Sequence, residues 1–180
     1  MKNKQIILLL SIIAFFVSCT PKIVFNESLR NNLDLKSINP EKLQFYIDRT
    51  VELRREISSN STKINAGKVE FYKGKNIQII AIKNLTPGVC LRSSDSTIDV
   101  AFENVSDAYL QFKKIKTVDS DYKIYMLNTT KNEEGNFFVN YNGISYQLDQ
   151  NAAEAKILIK RKVANKEDIN TKNLKGRKVK

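Results

Sequence analysis

Histidine and tryptophan are absent from the 180 residues. Without imidazole the chain cannot build Ser-His-Asp or Cys-His catalysis, an imidazole metal site or a histidine pH switch. Without indole, a platform for stacking sugars is disfavoured. Long apolar runs are also missing. The longest, residues 6–17 interrupted only by Ser11, falls well short of the ~20 residues that cross a bilayer as a helix, and Pro21 stops any helix just beyond it. There is no internal repeat, no low-complexity tract and no series of crossover helices of the kind a parallel sheet needs. What remains is 42% hydrophobic and 27% charged, enough for the ordinary core of one domain.

Lys2 and Lys4 precede the apolar run, which is the order of an export signal. The run ends in Phe16-Val17-Ser18-Cys19, which resembles the lipobox of bacterial lipoproteins: a bulky apolar residue, a small residue before the cut, then Cys. The resemblance covers the first twenty residues. It implies that residues 1–18 are removed, that the Cys19 thiol carries a diacylglycerol and that the new amino group is acylated. Two or three acyl chains satisfy the rule that stable anchoring takes more than one. Phe16 with Val17 departs from the commoner Leu and small residue, which fits a Gram-negative lineage with a looser lipobox. Thr20 stands where an Asp retains many lipoproteins in the inner membrane, so the implied address is the outer membrane. The lack of an acidic cluster after Cys19 points to the periplasmic leaflet.

Charge is unevenly placed. Against 30 Lys and Arg the chain has 19 Asp and Glu, and residues 156–180 alone hold ten of the cations beside Glu167 and Asp168. Residues 164–180 read as a solvated basic tail, with Lys172, Lys175, Arg177, Lys178 and Lys180 as candidate contacts to an anionic surface such as lipid headgroups. Nucleic acid is disfavoured as a partner, because an exported lipoprotein does not meet it and the tail has no rings for base stacking.

Residues 19–39 are polar and without a sustained period, and read as a tether. Asn39-Pro40-Glu41 is a helix start, predicting a short helix over 40–48. Beyond it the apolar period is two almost throughout. Strands are expected over 51–57, 69–72, 77–82, 89–92, 97–103, 110–113, 122–127, 137–141, 144–148 and 155–163, with turns at Lys73-Gly74-Lys75-Asn76, Thr86-Pro87-Gly88 and Asn142-Gly143. About ten short strands at this spacing predict an all-β domain over 40–163, an antiparallel β-sandwich or small barrel with one short N-terminal helix.

Few residues carry a chemical signal. Ser120-Asp121-Tyr122-Lys123 matches Ser-x-x-Lys, but it sits at a turn into a strand, where the two side chains do not meet, and its companion motifs are missing. Gly67 to Gly74-Lys75 has six residues between its glycines and spans a strand, unlike a phosphate loop. Asp95-Ser96 and Asp119-Ser120-Asp121 lack the later acid of a calcium loop. No enzyme, cofactor or metal is therefore expected. Cys90 is left without an intramolecular disulfide partner once Cys19 is lipidated, and reads as a small buried hydrophobe. Arg55 lies on the apolar phase of Val51, Leu53 and Ile57, so it either finds a buried partner or marks a binding cavity. Among the aromatics, Tyr109 and Tyr125 join Arg55 as candidate ligand or partner contacts.

The expected function is a lipid-anchored envelope module that binds or supports other proteins, such as an accessory subunit of an outer-membrane or periplasmic complex. The alternative is a β-barrel carrier of an apolar or amphiphilic ligand whose anionic head meets Arg55. Replacing Cys19 with Ser is expected to move the protein out of the membrane fraction and abolish labelling by a palmitate analogue; unchanged labelling would refute the lipid assignment.

Overall fold

The computed structural model describes residues 21–35, 37–58, 67–105, 107–117 and 122–164. Cys19 and the basic residues 172–180 lie outside them, as do Ser120 and Asp121. In chain order the strands are β1 (Lys22–Val24), β2 (Gln44–Ile47), β3 (Val51–Ile57), β4 (Lys68–Tyr72), β5 (Lys75–Ile82), β6 (Pro87–Ser93), β7 (Thr97–Ala101), β8 (Tyr109–Lys116), β9 (Lys123–Leu127), β10 (Thr130–Lys131), β11 (Phe137–Tyr141), β12 (Ile144–Leu148) and β13 (Ile157–Lys160). Three helices are interspersed: α1 (Glu27–Leu35), α2 (Gln150–Ala153) and α3 (Arg161–Ala164).

The strands make two antiparallel sheets, ordered β1-β13-β2-β6-β7-β8-β9 and β10-β11-β12-β3-β5-β4. This is the all-β sandwich that the alternating pattern predicts, with thirteen strands among the described residues where ten were expected. Period two explains the burial. Val51 and Leu53 of β3 face Ile82 and Ile80 of β5, and Ile98 and Val100 of β7 face Phe112 and Leu110 of β8, all of them in one core. Two hairpins fall where turns were read from the sequence, the first with a loop of two residues instead of four because Lys75 and Asn76 already pair with β4. Lys73-Gly74 has φ of 48° and 77°, and Asn142-Gly143 has φ of 51° and 72°, the paired positive values of a type I′ loop.

Three expectations are corrected. The helix over 40–48 is instead a single 3-10 turn, Pro40–Lys42, capped by the Asn39 side chain on the Glu41 N–H at 2.9 Å, followed by β2. The start signal was real, but Leu43, Phe45 and Ile47 bury one face at period two, and β13 and β6 offer a hydrogen-bonding ladder on each side. The second correction concerns the tether. Residues 22–24 pair with Ile159 and its neighbours as β1, and α1 follows, its first turn capped by Asn26 Oδ1 accepting from the Leu29 N–H at 2.8 Å. Leu33 and Phe25 are core residues. The expected strand over 155–163 is also shorter, because α3 begins at Arg161.

Phe25 closes the first sheet. Its N–H donates to the Ile157 carbonyl at 2.9 Å, and its own carbonyl accepts from the Tyr125 N–H at 3.4 Å. Asn26 bridges to Ile124 and Lys156 to Met126, so β9 at one end of the sheet is tied back to the segments flanking β1 and β13 at the other. The Phe25 ring is fully buried, edge-on to Phe45 at 5.2 Å and tilted against Tyr125 at 5.3 Å. Phe25→Ala is expected to cost about 3–5 kcal/mol in denaturant unfolding, the range for a large core truncation. A change near zero would return this segment to the role of a tether.

Candidate functional site

Four sheet edges could take another chain, and three are blunted. β9 and the β1 side of the first sheet are tied together by the bridges above. β10, at one end of the second sheet, has two residues. The fourth edge, β4, has five residues, all exposed. Long open edges with apolar side chains are uncommon because they template pairing with other chains. Phe71 is 75% exposed, Tyr72 60% and Val69 38%. Val69 lies opposite Gln78 and Phe71 opposite Asn76, so both project on the same face as Leu53 and Arg55, beyond the part of that face that the core covers.

Arg55 sits beside this edge, in the phase that the sequence predicts. It pairs with Gln78 across β3 and β5, donating from Nε to Gln78 Oε1 at 2.6 Å, and its guanidinium lies 5.5 Å from the centre of the Tyr146 ring. Gln78 itself is 2% exposed. A polar pair at the end of the inner face is how an arginine is accommodated there: the amide oxygen satisfies one donor and the ring face another part of the charge. A cleft of about 430 Å³ opens next to it, with Arg54, Arg55, Lys73 and Lys75 against Glu56 and with Tyr72 as its aromatic wall. Lys75 holds Glu56 at 2.7 Å, and Arg54 is paired with Glu52, whose carboxylate raises the guanidinium's affinity for its proton. The cleft is open, and its charged rim stands beside the apolar surfaces of Tyr72 and Ile77.

On the outward side of β4, Lys68 and Glu70 form an ion pair along the strand. The pairing holds the Glu70 carboxyl below its usual range and the Lys68 amine above its own, so both are charged at neutral pH. An apolar face, a charged face and backbone groups left unpaired among the described residues are the features that strand addition uses.

The other two candidates lie elsewhere. Tyr109 is on the outer face of the first sheet under the Arg92 guanidinium, 4.9 Å from its ring centre. Arg92 donates to Asp99 Oδ2 at 2.9 Å, Gln111 to Asp99 Oδ1 at 2.9 Å and Asn128 to Gln111 Oε1 at 2.8 Å. Tyr109 therefore flanks a polar ladder that ties β6, β7 and β8 together. Tyr125 is fully buried, so it cannot be a surface contact. Its side chain lies on the same face of β9 as Leu127, in the core with Phe112, and its ring packs on Phe25.

The arginine that sequence reasoning missed is Arg30. It is 9% exposed on α1, donating from Nη1 to Tyr125 Oη at 3.3 Å, with Nε 3.7 Å from Asp34. Its spacing three residues before Leu33 was the available signal, hidden because the segment was read as a tether. Arg30 fastens α1 to the closed sheet beside a cleft of about 380 Å³ that also meets Glu41 and Ser93.

Cys90 is a buried thiol, as expected from its strand position. Burial, reinforced by Glu41 and Asp99, pushes its pKa up to about 11. The folded chain is accordingly expected to leave Cys90 unmodified by a maleimide at mildly alkaline pH, while the urea-unfolded chain reacts. Its pKa is raised on folding, so the stability it contributes is complete below the usual thiol value of 9.0 and is lost as pH rises toward 11. Rapid labelling of the folded form would contradict this placement.

No family model, curated protein or solved structure matches the chain.

Proposed function

We propose that the protein is a lipid-anchored module of the bacterial envelope that binds protein through the β4 edge, serving as an accessory subunit of an outer-membrane or periplasmic assembly. The observation that carries this reading is the exposed edge itself, with Val69, Phe71 and Tyr72 on a strand whose outer backbone groups are unpaired among the described residues. An uncovered edge costs a monomer solubility, and one that persists has a partner to gain.

The anchoring half of the proposal is supported by β1 and β13. Their antiparallel register sets Lys22 opposite Lys160, and the Arg161 N–H donates to the Pro21 carbonyl at 2.9 Å. The chain therefore enters the domain two residues after Cys19 at the same edge from which the basic residues 164–180 depart. Lys22 and Lys160 both lie against the Tyr46 ring there, at 4.5 and 5.9 Å. A lipid and a basic segment issuing from one edge engage the same membrane surface, and two signals hold better than one. The β4 edge belongs to the other sheet.

A photoreactive residue placed at position 71 in cells is expected to give cross-linked adducts. The same residue at position 131, on the two-residue strand β10, serves as the control and should give few. Equal yields at the two positions, or none at 71, would overturn the proposal.

A further inference from the structure

The inference that follows rests on β4 being the protein-binding edge and names what occupies it. The Lys73-Gly74 loop closes on the pair Tyr72 and Lys75. In a two-residue hairpin that closing pair is hydrogen-bonded, and bonding alternates from there. Tyr72, Glu70 and Lys68 therefore turn their backbone groups toward β5, while Phe71 and Val69 turn theirs outward. A partner strand must exchange hydrogen bonds with these two residues and must keep apolar side chains on the face that carries Val69 and Phe71.

A second copy of β4 meets both conditions when it runs antiparallel about a two-fold axis through a residue, since an axis between residues would set opposite faces against each other. Three such axes keep at least three residues of β4 paired. An axis at Glu70 sets two carboxylates directly opposite, which is destabilising. An axis at Phe71 sets Glu70 opposite Tyr72 and Lys68 opposite Gly74 in the partner's turn, so neither charge meets an opposite one. An axis at Val69 sets Lys68 opposite Glu70 of the other copy, twice, in the closer non-hydrogen-bonded positions.

We propose that two copies of the chain associate by antiparallel addition of β4 to β4 about a two-fold axis at Val69. The seam joins two six-stranded sheets into one. On one face, Lys68 and Glu70 of both copies form a four-charge network in place of two separate intrastrand pairs. On the other, Val69 meets Val69 and the two Phe71 rings cover the seam. Phe71 falls opposite Gly67 of the other copy, a residue that must stay without a side chain because an added Cβ would lie 2.2 Å from the Ile79 carbonyl oxygen. Gly67 precedes β4 at a φ of 81°, so the Phe71 ring meets no opposing side chain there. The basic turns do not oppose the union. Lys73 is four residues from the axis, so the two turns point apart by roughly 26 Å, well beyond the ~8 Å screening length at physiological salt.

The full chain purified in mild detergent is the material for the test, with sedimentation velocity as the readout. The parent is expected to sediment as a dimer. K68E and E70K alone each convert two opposite-charge pairs into two like-charge pairs, and each is expected to weaken self-association by roughly tenfold or more. Mixing the two variants restores opposite charges at both positions across the seam, although neither regains its intrastrand pair, so the equimolar mixture is expected to recover the dimer. A mixture that stays monomeric overturns the proposal, as does a monomeric parent. V69C is expected to give a disulfide-linked dimer on mild oxidation, because its thiols meet on the axis; a cysteine at position 131 should not. In the position-71 cross-linking experiment, adducts of twice the chain mass agree with self-pairing. Adducts of another mass only would refute self-pairing and leave the protein-binding reading standing, whereas no adducts would remove both.

Discussion

Closure of the seven-stranded sheet at Phe25 is the constraint on which the rest of the structure depends. A strongly twisted sheet of that width either ends in two open edges or bends until its ends meet. Here the segment around Phe25 and the one around Lys156 supply the hydrogen bonds that let β9 meet the β1 and β13 side. The same residue places its ring between Phe45 and Tyr125, so one side chain packs the core where the ladder is thinnest. Asp48 reinforces this region from β2 onward, accepting the Lys156 N–H at 2.7 Å while its carboxylate holds Arg49.

Sealing one sheet concentrates the chain's capacity for strand pairing in the other. The second sheet ends in a two-residue strand on one side and in β4 on the other. The β4 to β5 hairpin reaches past the covered part of the inner face, which is why Gln78 and Arg55 stand where a longer sandwich would have aliphatic side chains. Polar groups at that boundary are satisfied by one another, and the apolar Val69 and Phe71 are what is left without cover. In the proposed pairing, the charges on the strand's outer side would discriminate among partners more than they add affinity.

The two arginines on apolar phases illustrate different solutions to one problem. Arg30 is enclosed and shares its charge between a phenol and a half-exposed carboxylate, Asp34. Arg55 stays at the margin, using an amide oxygen and a ring face. A helix docked over a core needs its buried charge anchored, whereas a strand end can leave part of the guanidinium wet.

How much was legible follows from what kind of signal each element had. Alternation is a local property, so Val51 to Ile57, Ile98 to Val100 and the Asn142-Gly143 hairpin could be read directly, and with them the all-β sandwich and the inward phase of Arg55. The resemblance to a lipobox and the basic character of residues 165–180 rest on sequence alone and lie outside the described structure. Short elements had no such autonomy. β1 spans three residues and β2 four, too few to display a period, and each exists because β13 and β6 present ladders to it. Tyr125 is enclosed by Phe25 and Arg30, which come from a segment that displays no sustained period. The openness of β4 is also a tertiary fact: Val69 and Phe71 carry the same alternation as a core strand, and only the strand order, which leaves β4 last, decides that nothing else in the described structure covers them.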